Sequence, residues 1–210
     1  MYNAKKIFLL VPLIICGCGM HKAPEAKLNF YLNADKDLST IGRVTLIELG
    51  NSNVAFPQIS SDSTEALSLA FQKKQLFGLT VIRQNDPIWQ SLQLDVDDNY
   101  TLEQISAIRK SLKSDAVIIG KVMSFSPYPH MAIGLRLKLI DLNSGQMVWA
   151  IEQIWDTTDK TVEDRIKGYY DDKNLFTQST LQEKIGTISS LKFIKFVADE
   201  TAETLQAKKK

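Results

Sequence analysis

Asp95, Asp97 and Asn99 offer side-chain oxygens at alternating positions, the spacing that fills the first three ligand positions of a calcium-binding loop. The pattern fails at the next tests, because Tyr100 stands where that loop needs glycine and Ser106 where it needs a bidentate glutamate. An acidic turn leading into a helix is the reading that remains. His21 and His130 are far apart and have no cysteine or paired carboxylate at ligand spacing, so they read as surface histidines and no metal site is expected. The chain holds no Gly-x-Gly-x-x-Gly, no P-loop, no Gly-x-Ser-x-Gly and no His-Glu-x-x-His. Its carboxylates are many, with nothing to select the opposed pair that glycoside hydrolysis needs. No catalytic residue and no cofactor site is expected, and the chain reads as non-enzymatic. Trp89, Trp149 and Trp155 would suit a sugar or peptide platform, but Trp149 and Trp155 share one strand face and are more simply packing residues. In Ser126-Pro127-Tyr128-Pro129-His130 the prolines frame an aromatic at a loop tip; a tight turn with a packed tyrosine is preferred there over a recognition tip.

The chemistry that the sequence does specify lies at the start. Lys5 and Lys6 precede an apolar run, Ile7 to Ile15, too short for the about 20 helical residues that span a bilayer, so residues 1–17 read as a signal peptide. The run ends Ile15-Cys16-Gly17-Cys18, which resembles the lipobox of bacterial lipoproteins. Cys18 fits that pattern, with a small residue before it and an aliphatic one three before it. Cys16 does not, because Ile15 takes the place of the small residue. The resemblance implies that Cys18 becomes the lipidated N-terminus, and several acyl chains, at about 0.8 kcal/mol per buried CH₂, anchor stably where one would not. Gly19 stands where many bacteria place the aspartate that retains a lipoprotein in the inner membrane, so an outer-membrane, periplasm-facing location is expected. Both cysteines are spent here, and no disulfide framework is possible in the rest of the chain.

Residues 18–40 are polar and mixed, as suits a tether, interrupted by Leu28–Leu32, which is either an extra edge strand or a loop with two anchoring aromatics. Residues 41–210 read as one domain. With 25 basic and 24 acidic residues the net charge is +1, which provides no field for nucleic acid. Arg43–Gly50 predicts a strand, and Gly50 to Asn53 a loop. Asp62 and Glu65 at capping-box spacing predict a helix to Phe77 with Gly78 as its stop; Leu79–Arg83 predicts a second strand, parallel to the first. Pro87–Leu92 reads as short and helical or irregular. Thr101 and Gln104 form a second capping box, followed by Leu102, Ile105, Ile108 and Leu112 at helical spacing. Ala116–Phe125 is nearly all apolar, the mark of a strand covered on both faces. Met131–Asp141 alternates Ile133, Leu135, Leu137 and Leu139 against Gly134, Arg136 and Lys138, and Gly145 supplies the turn to Met147–Trp155. Beyond it, Thr157–Tyr170 is expected to be partly helical with Asp164, Arg165 and Lys167 exposed, and Asp171–Thr187 a long loop or frayed helix. Ser190–Ala207 is expected to be a terminal helix buried along Leu191, Ile194, Val197, Ala198, Thr201 and Leu205, with Lys208–Lys210 at its negative end.

This yields an α/β fold, a mixed sheet of about four to six strands with helices on both faces, in the order β-α-β-α-β-β-β-α. The phrases Ser114-Asp115-Ala116-Val117-Ile118-Ile119-Gly120-Lys121-Val122 and Leu137-Lys138-Leu139-Ile140-Asp141-Leu142-Asn143-Ser144-Gly145-Gln146-Met147-Val148-Trp149 then resemble the periplasmic domain shared by CsgG-type lipoproteins, the penicillin-binding-protein activator LpoB and the N-terminal domain of TolB. That resemblance, over residues 43–156, implies a non-enzymatic lipoprotein that docks a periplasmic or outer-membrane protein, with a homo-oligomer as a possibility. The alternative is a subunit or accessory protein of a CsgG-like secretion system. A CsgG-like pore itself is disfavoured, because about five residues join Phe125 to Met131 and a transmembrane strand alone needs about nine to eleven.

Overall fold

Alternation of apolar and charged residues along the chain centre is realised as one long antiparallel meander, around which the other elements assemble. The computed structural model describes residues 24–52, 55–92, 94–172 and 189–206. In order these form β1 (Phe30–Leu32), a 3-10 turn (Leu38–Thr40), β2 (Arg43–Ile47), β3 (Gly50–Asn51), α1 (Ile59–Lys74), β4 (Gly78–Ile82), α2 (Pro87–Leu92), α3 (Leu102–Leu112), β5 (Ala116–Ser126), β6 (Ala132–Asp141), β7 (Met147–Asp156), α4 (Lys160–Asp172) and α5 (Ser190–Glu203). The leader with Cys16 and Cys18, the start of the tether, His21, the segment between Asp172 and Ser189, and Lys208–Lys210 lie outside the described residues.

The strands make one mixed sheet in the order β1-β7-β6-β5-β2-β4, with β3 also beside β5. β5, β6 and β7 pair antiparallel, while β2 runs parallel to both β4 and β5. The β2-α1-β4 crossover predicted from order alone is therefore present. Between the two readings of Leu28–Leu32 the fold takes the edge strand: Phe30 stands opposite Ile151 and Leu32 opposite Trp149.

One face of the sheet lies under α1, α4 and α5. Val44, Leu46, Ile118, Ile133, Leu135, Leu137, Leu139, Trp149 and Trp155 project into that layer and pack with Phe71, Ile166, Phe193 and Phe196. Trp149 and Trp155 are fully buried, so they are packing residues as expected; each still satisfies its ring N–H, Trp149 donating to Thr204 Oγ1 at 2.9 Å and Trp155 to Glu200 Oε2 at 2.7 Å. Phe71 meets Trp149 edge to face with ring centroids 6.2 Å apart.

Several local expectations are corrected. α1 begins at Ile59 and has Gln58 at its N-cap without a side-chain bond, so Asp62 is a first-turn acid rather than a cap. Burial of Ile59 and the Ser60 hydroxyl's bond to the Leu49 carbonyl set that earlier start. The helix closes on Gln75 in the left-handed region, φ 54°, and Gly78 opens β4 instead of stopping α1. Gly50–Asn51, read as loop, is a short strand on Lys121–Val122. In α5 Leu191 faces solvent while Phe193 and Phe196 are buried. Arg165 and Lys167, expected to be exposed, have side chains only 10% and 18% accessible, because Glu200 and Glu163 draw them against the fold. The α3 capping box is complete: Gln104 N donates to Thr101 Oγ1 at 3.3 Å and Thr101 N to Gln104 Oε1 at 2.8 Å.

Candidate docking face

The second face of the sheet is covered over half its width. Ile47, Ile82, Val117, Ile119 and Ile140 pack under Ile105, Ile108 and Leu112 of α3, with Trp89 and Leu92 of α2 at the margin. Beyond α3 the same face carries Lys121, Arg136, Lys138, Ala150 and Glu152, and it ends at Tyr31 of β1. The sequence foretold this split, since Arg136 and Lys138 alternate with the buried leucines of β6 and need water or counter-charges.

The counter-charges come from the acidic turn before α3. Asp97 Oδ1 accepts from Arg136 Nη1 at 2.7 Å, and its other oxygen pairs with Lys121. Arg136 then grips Glu152 with two bonds, Nε to Oε2 at 2.8 Å and Nη2 to Oε1 at 3.0 Å. Lys138 Nζ donates to the Asp98 carbonyl at 2.6 Å and lies 5.6 Å from the centre of the Tyr100 ring. Tyr100 OH donates to the Asp95 carbonyl at 2.7 Å and accepts from Asp95 N at 2.8 Å. This is the structural use of the acidic turn. The Asp97 carboxylate is bound by two cations, and Asp95 Oδ1 accepts from Asp97 N at 2.8 Å. Among the described residues no three histidines, cysteines or carboxylates gather at metal-binding distance.

The titration behaviour follows from these contacts. Hydrogen bonds from Lys121, then Arg136, hold the Asp97 carboxyl below its usual range, and Glu152 with Asp97 raises the Arg136 guanidinium. Burial pushes the Tyr100 phenol up to about 12, and burial lowers Lys138 against the pull of Asp98 and Asp97. Asp97 and Arg136 are thereby held in their charged forms, while burial moves Lys138 the opposite way. A shallow groove of about 340 Å³ lies on it, floored by Arg136, Lys138, Ala150 and Glu152 and walled by Tyr31, Val96 and Met147.

The loop tip departs from expectation. Tyr128 is 84% exposed, at a cis bond to Pro129, so the tyrosine stands out from the turn instead of packing under it; Phe56, 5.3 Å from Phe125 ring to ring, supports the strand end below. Trp89 packs at the margin of the α3 layer and offers no platform. The two sequence phrases also acquire physical content. Asp141, whose side chain is 2% accessible, accepts from Lys36 Nζ at 2.6 Å, Asn143 N at 2.9 Å and Ser144 Oγ at 2.9 Å, fixing the turn in which Gly145 holds φ 72°. Asp115 Oδ2 accepts from Arg43 N at 2.9 Å, and Ser114 and Thr45 hydroxyls meet at 2.6 Å, locking β5 to β2. These aspartates are architectural. The pairing of Asp97 with Lys121 and Arg136 was missed in the sequence, where the only trace is an acidic turn and two basic strand residues.

No protein-family model matches the sequence, and no curated protein sequence is similar to it. Solved structures are. A dodecamer of a PelC variant from Paraburkholderia phytofirmans superposes with a TM-score of 0.53 at 11% identity, covering 87% of this chain and 100% of that one. Lipoprotein GNA1162 from Neisseria meningitidis gives 0.44 at 9%, over 64% of this chain and 99% of that one, and the LpoB C-terminal domain from Salmonella enterica gives 0.37 at 19%, over 54% and 82%. Of these three the PelC likeness is near enough to establish a shared fold, and fold is what it establishes.

Proposed function

We propose that this chain is a non-enzymatic, lipid-anchored protein of the bacterial cell envelope, held by an acylated Cys18 at the outer membrane, that docks a periplasmic or outer-membrane protein on its periplasmic domain. The observation that carries the reading is the lipobox-like Ile15-Cys16-Gly17-Cys18 directly ahead of a domain whose open face is built for contact. On that face Arg136, Asp97 and Glu152 are engaged in fixed pairs beside a shallow groove, an arrangement suited to recognition. The PelC fold, and the naming of GNA1162 as a lipoprotein, are compatible with it.

The test has two arms. Cys18→Ser releases the protein from the membrane fraction; a mutant still recovered in the outer membrane overturns the anchor. A photocrosslinking residue at Tyr31, in the native envelope, captures one protein that the same residue at Lys110 on α3 does not; equal capture from both overturns the docking face.

A second reading, a subunit or accessory protein of a CsgG-like secretion system, is favoured by one observation: the solved PelC chain sharing this fold is a dodecamer. It expects a ring in detergent, and a particle of one or two chains by light scattering removes it.

A further inference from the structure

The sheet ends in two edges, and they are unequal. β1 is a three-residue strand. β4, Gly78-Leu79-Thr80-Val81-Ile82, is a full strand with no proline, charge or bulge, the devices by which exposed edges are kept from pairing. Gly78 N donates to the Gly42 carbonyl and Glu48 N to the Ile82 carbonyl, so Gly78, Thr80 and Ile82 turn their backbone groups toward β2. By the alternation of a parallel ladder, Leu79 and Val81 turn both N–H and C=O outward, where no described residue meets them. Their side chains pack against the α1 layer, whereas Thr80 and Ile82 point to the other face.

We propose that β4 pairs antiparallel with β4 of a second copy of this chain, forming a two-fold dimer with one continuous sheet. The edge is its own complement. Leu79 of one copy stands opposite Val81 of the other, two such pairs exchange four N–H···O=C bonds, and the two-fold axis passes between the two Thr80 residues. The operation keeps both α1 layers on the same side of the joined sheet.

The flank of the edge agrees in shape. Glu65 of α1 bonds Arg83, just beyond β4, at 2.5 Å, so this stripe of the helix overhangs the edge. Leu69, one turn on, is 44% exposed, whereas Lys73, another turn on, is paired with Asp199 of α5 at 3.3 Å and takes no part in the edge. Antiparallel apposition sets Leu69 of each copy toward Leu69 of the other. A second copy therefore satisfies together the backbone groups that no described residue meets and the apolar flank. Head-to-tail pairing of β4 with β1 leaves Leu69 uncovered and offers a strand of only three residues.

The experiment uses the full chain purified from membranes in detergent. In an antiparallel pair Thr80 faces Thr80 across a non-hydrogen-bonded position, whose short separation suits a disulfide. Thr80→Cys is expected to oxidise to a covalent dimer in high yield where the wild-type chain does not, and light scattering of the wild type is expected to report twice the protomer mass. Val81→Pro removes an outward N–H without touching the β2 ladder; in the Thr80→Cys background it should abolish the crosslink while circular dichroism stays unchanged. Leu69→Lys should raise the dissociation constant at least tenfold and is free of backbone effects. A monomer by mass, a Thr80→Cys chain that does not crosslink, one that crosslinks to a different protein instead, or a crosslink between Cys at 80 and Cys placed at Tyr31 each overturns the proposal. None of these readouts depends on the docking face.

Discussion

The two faces of this sheet are built from the same strands, residue by residue in alternation, yet they differ in what holds them. On the covered face Trp149, Trp155 and the β6 leucines are sealed under three helices, and removal of water supplies the energy. On the open half of the other face Arg136, Lys121, Asp97 and Glu152 hold one another in sight of solvent, where ion pairs contribute little to stability. The contrast teaches that strand parity separates apolar packing from exposed ion pairs; under the proposed function this leaves the open face to be shaped by a partner.

Four substitutions test that separation. Trp149→Ala on the covered face leaves a large void and removes the donor to the Thr204 hydroxyl; unfolding by denaturant should lose about 3–5 kcal/mol. A loss under 1 kcal/mol would break the comparison. Gly120→Ala is next. A Cβ there would collide with the Leu137 side chain and lie 2.6 Å from the Arg136 carbonyl, so a loss of about 1–3 kcal/mol is expected in the same melt.

Asp141 lies between the two regimes, an ionised group held inside. Burial opposes its charge, but Lys36, Asn143 and Ser144 outweigh burial and keep its folded pKa below the ordinary 3.8. A depressed carboxyl contributes stability that is whole above its unfolded pKa and drains as pH falls through the folded one. Asp141→Asn should therefore cost about 1 kcal/mol at neutral pH, and the gap to wild type should close as melts are taken below about pH 4. A gap independent of pH would show that the carboxylate's charge is not what the turn uses. The smallest effect is Arg136→Ala, which should leave the melting midpoint where it was while reducing capture of the partner from Tyr31. If it unfolds the protein instead, the open face is structural.

Much of this architecture was legible. Apolar content marked β5 as covered on both faces, which holds for Ala116–Ile119 but not for the half beyond Gly120; alternation marked which side of β6 would be wet, and Thr101 with Gln104 announced α3 to the residue. Those signals are local, and the energy they report is local too. What could not be read depends on distant partners. Asp62 looks like a cap until Ile59 is seen buried, Arg165 looks exposed until Glu200 comes within 2.7 Å, and nothing near Asp97 in sequence says that Lys121 and Arg136 will come to it. Tyr128 failed for a different reason, because a proline-flanked turn specifies backbone direction but not whether its aromatic packs.

The placement of β1 has a consequence in time. Phe30 meets Ile151 across about 120 residues of chain, whereas β5, β6 and β7 join through turns of a few residues. Closing the longer loop carries the larger entropic cost, so the meander forms early and β1 is among the last strands to dock. A chain delivered N-terminus first would thus have residues 24–32 waiting unpaired until β7 arrived, exposed while the sheet is still incomplete.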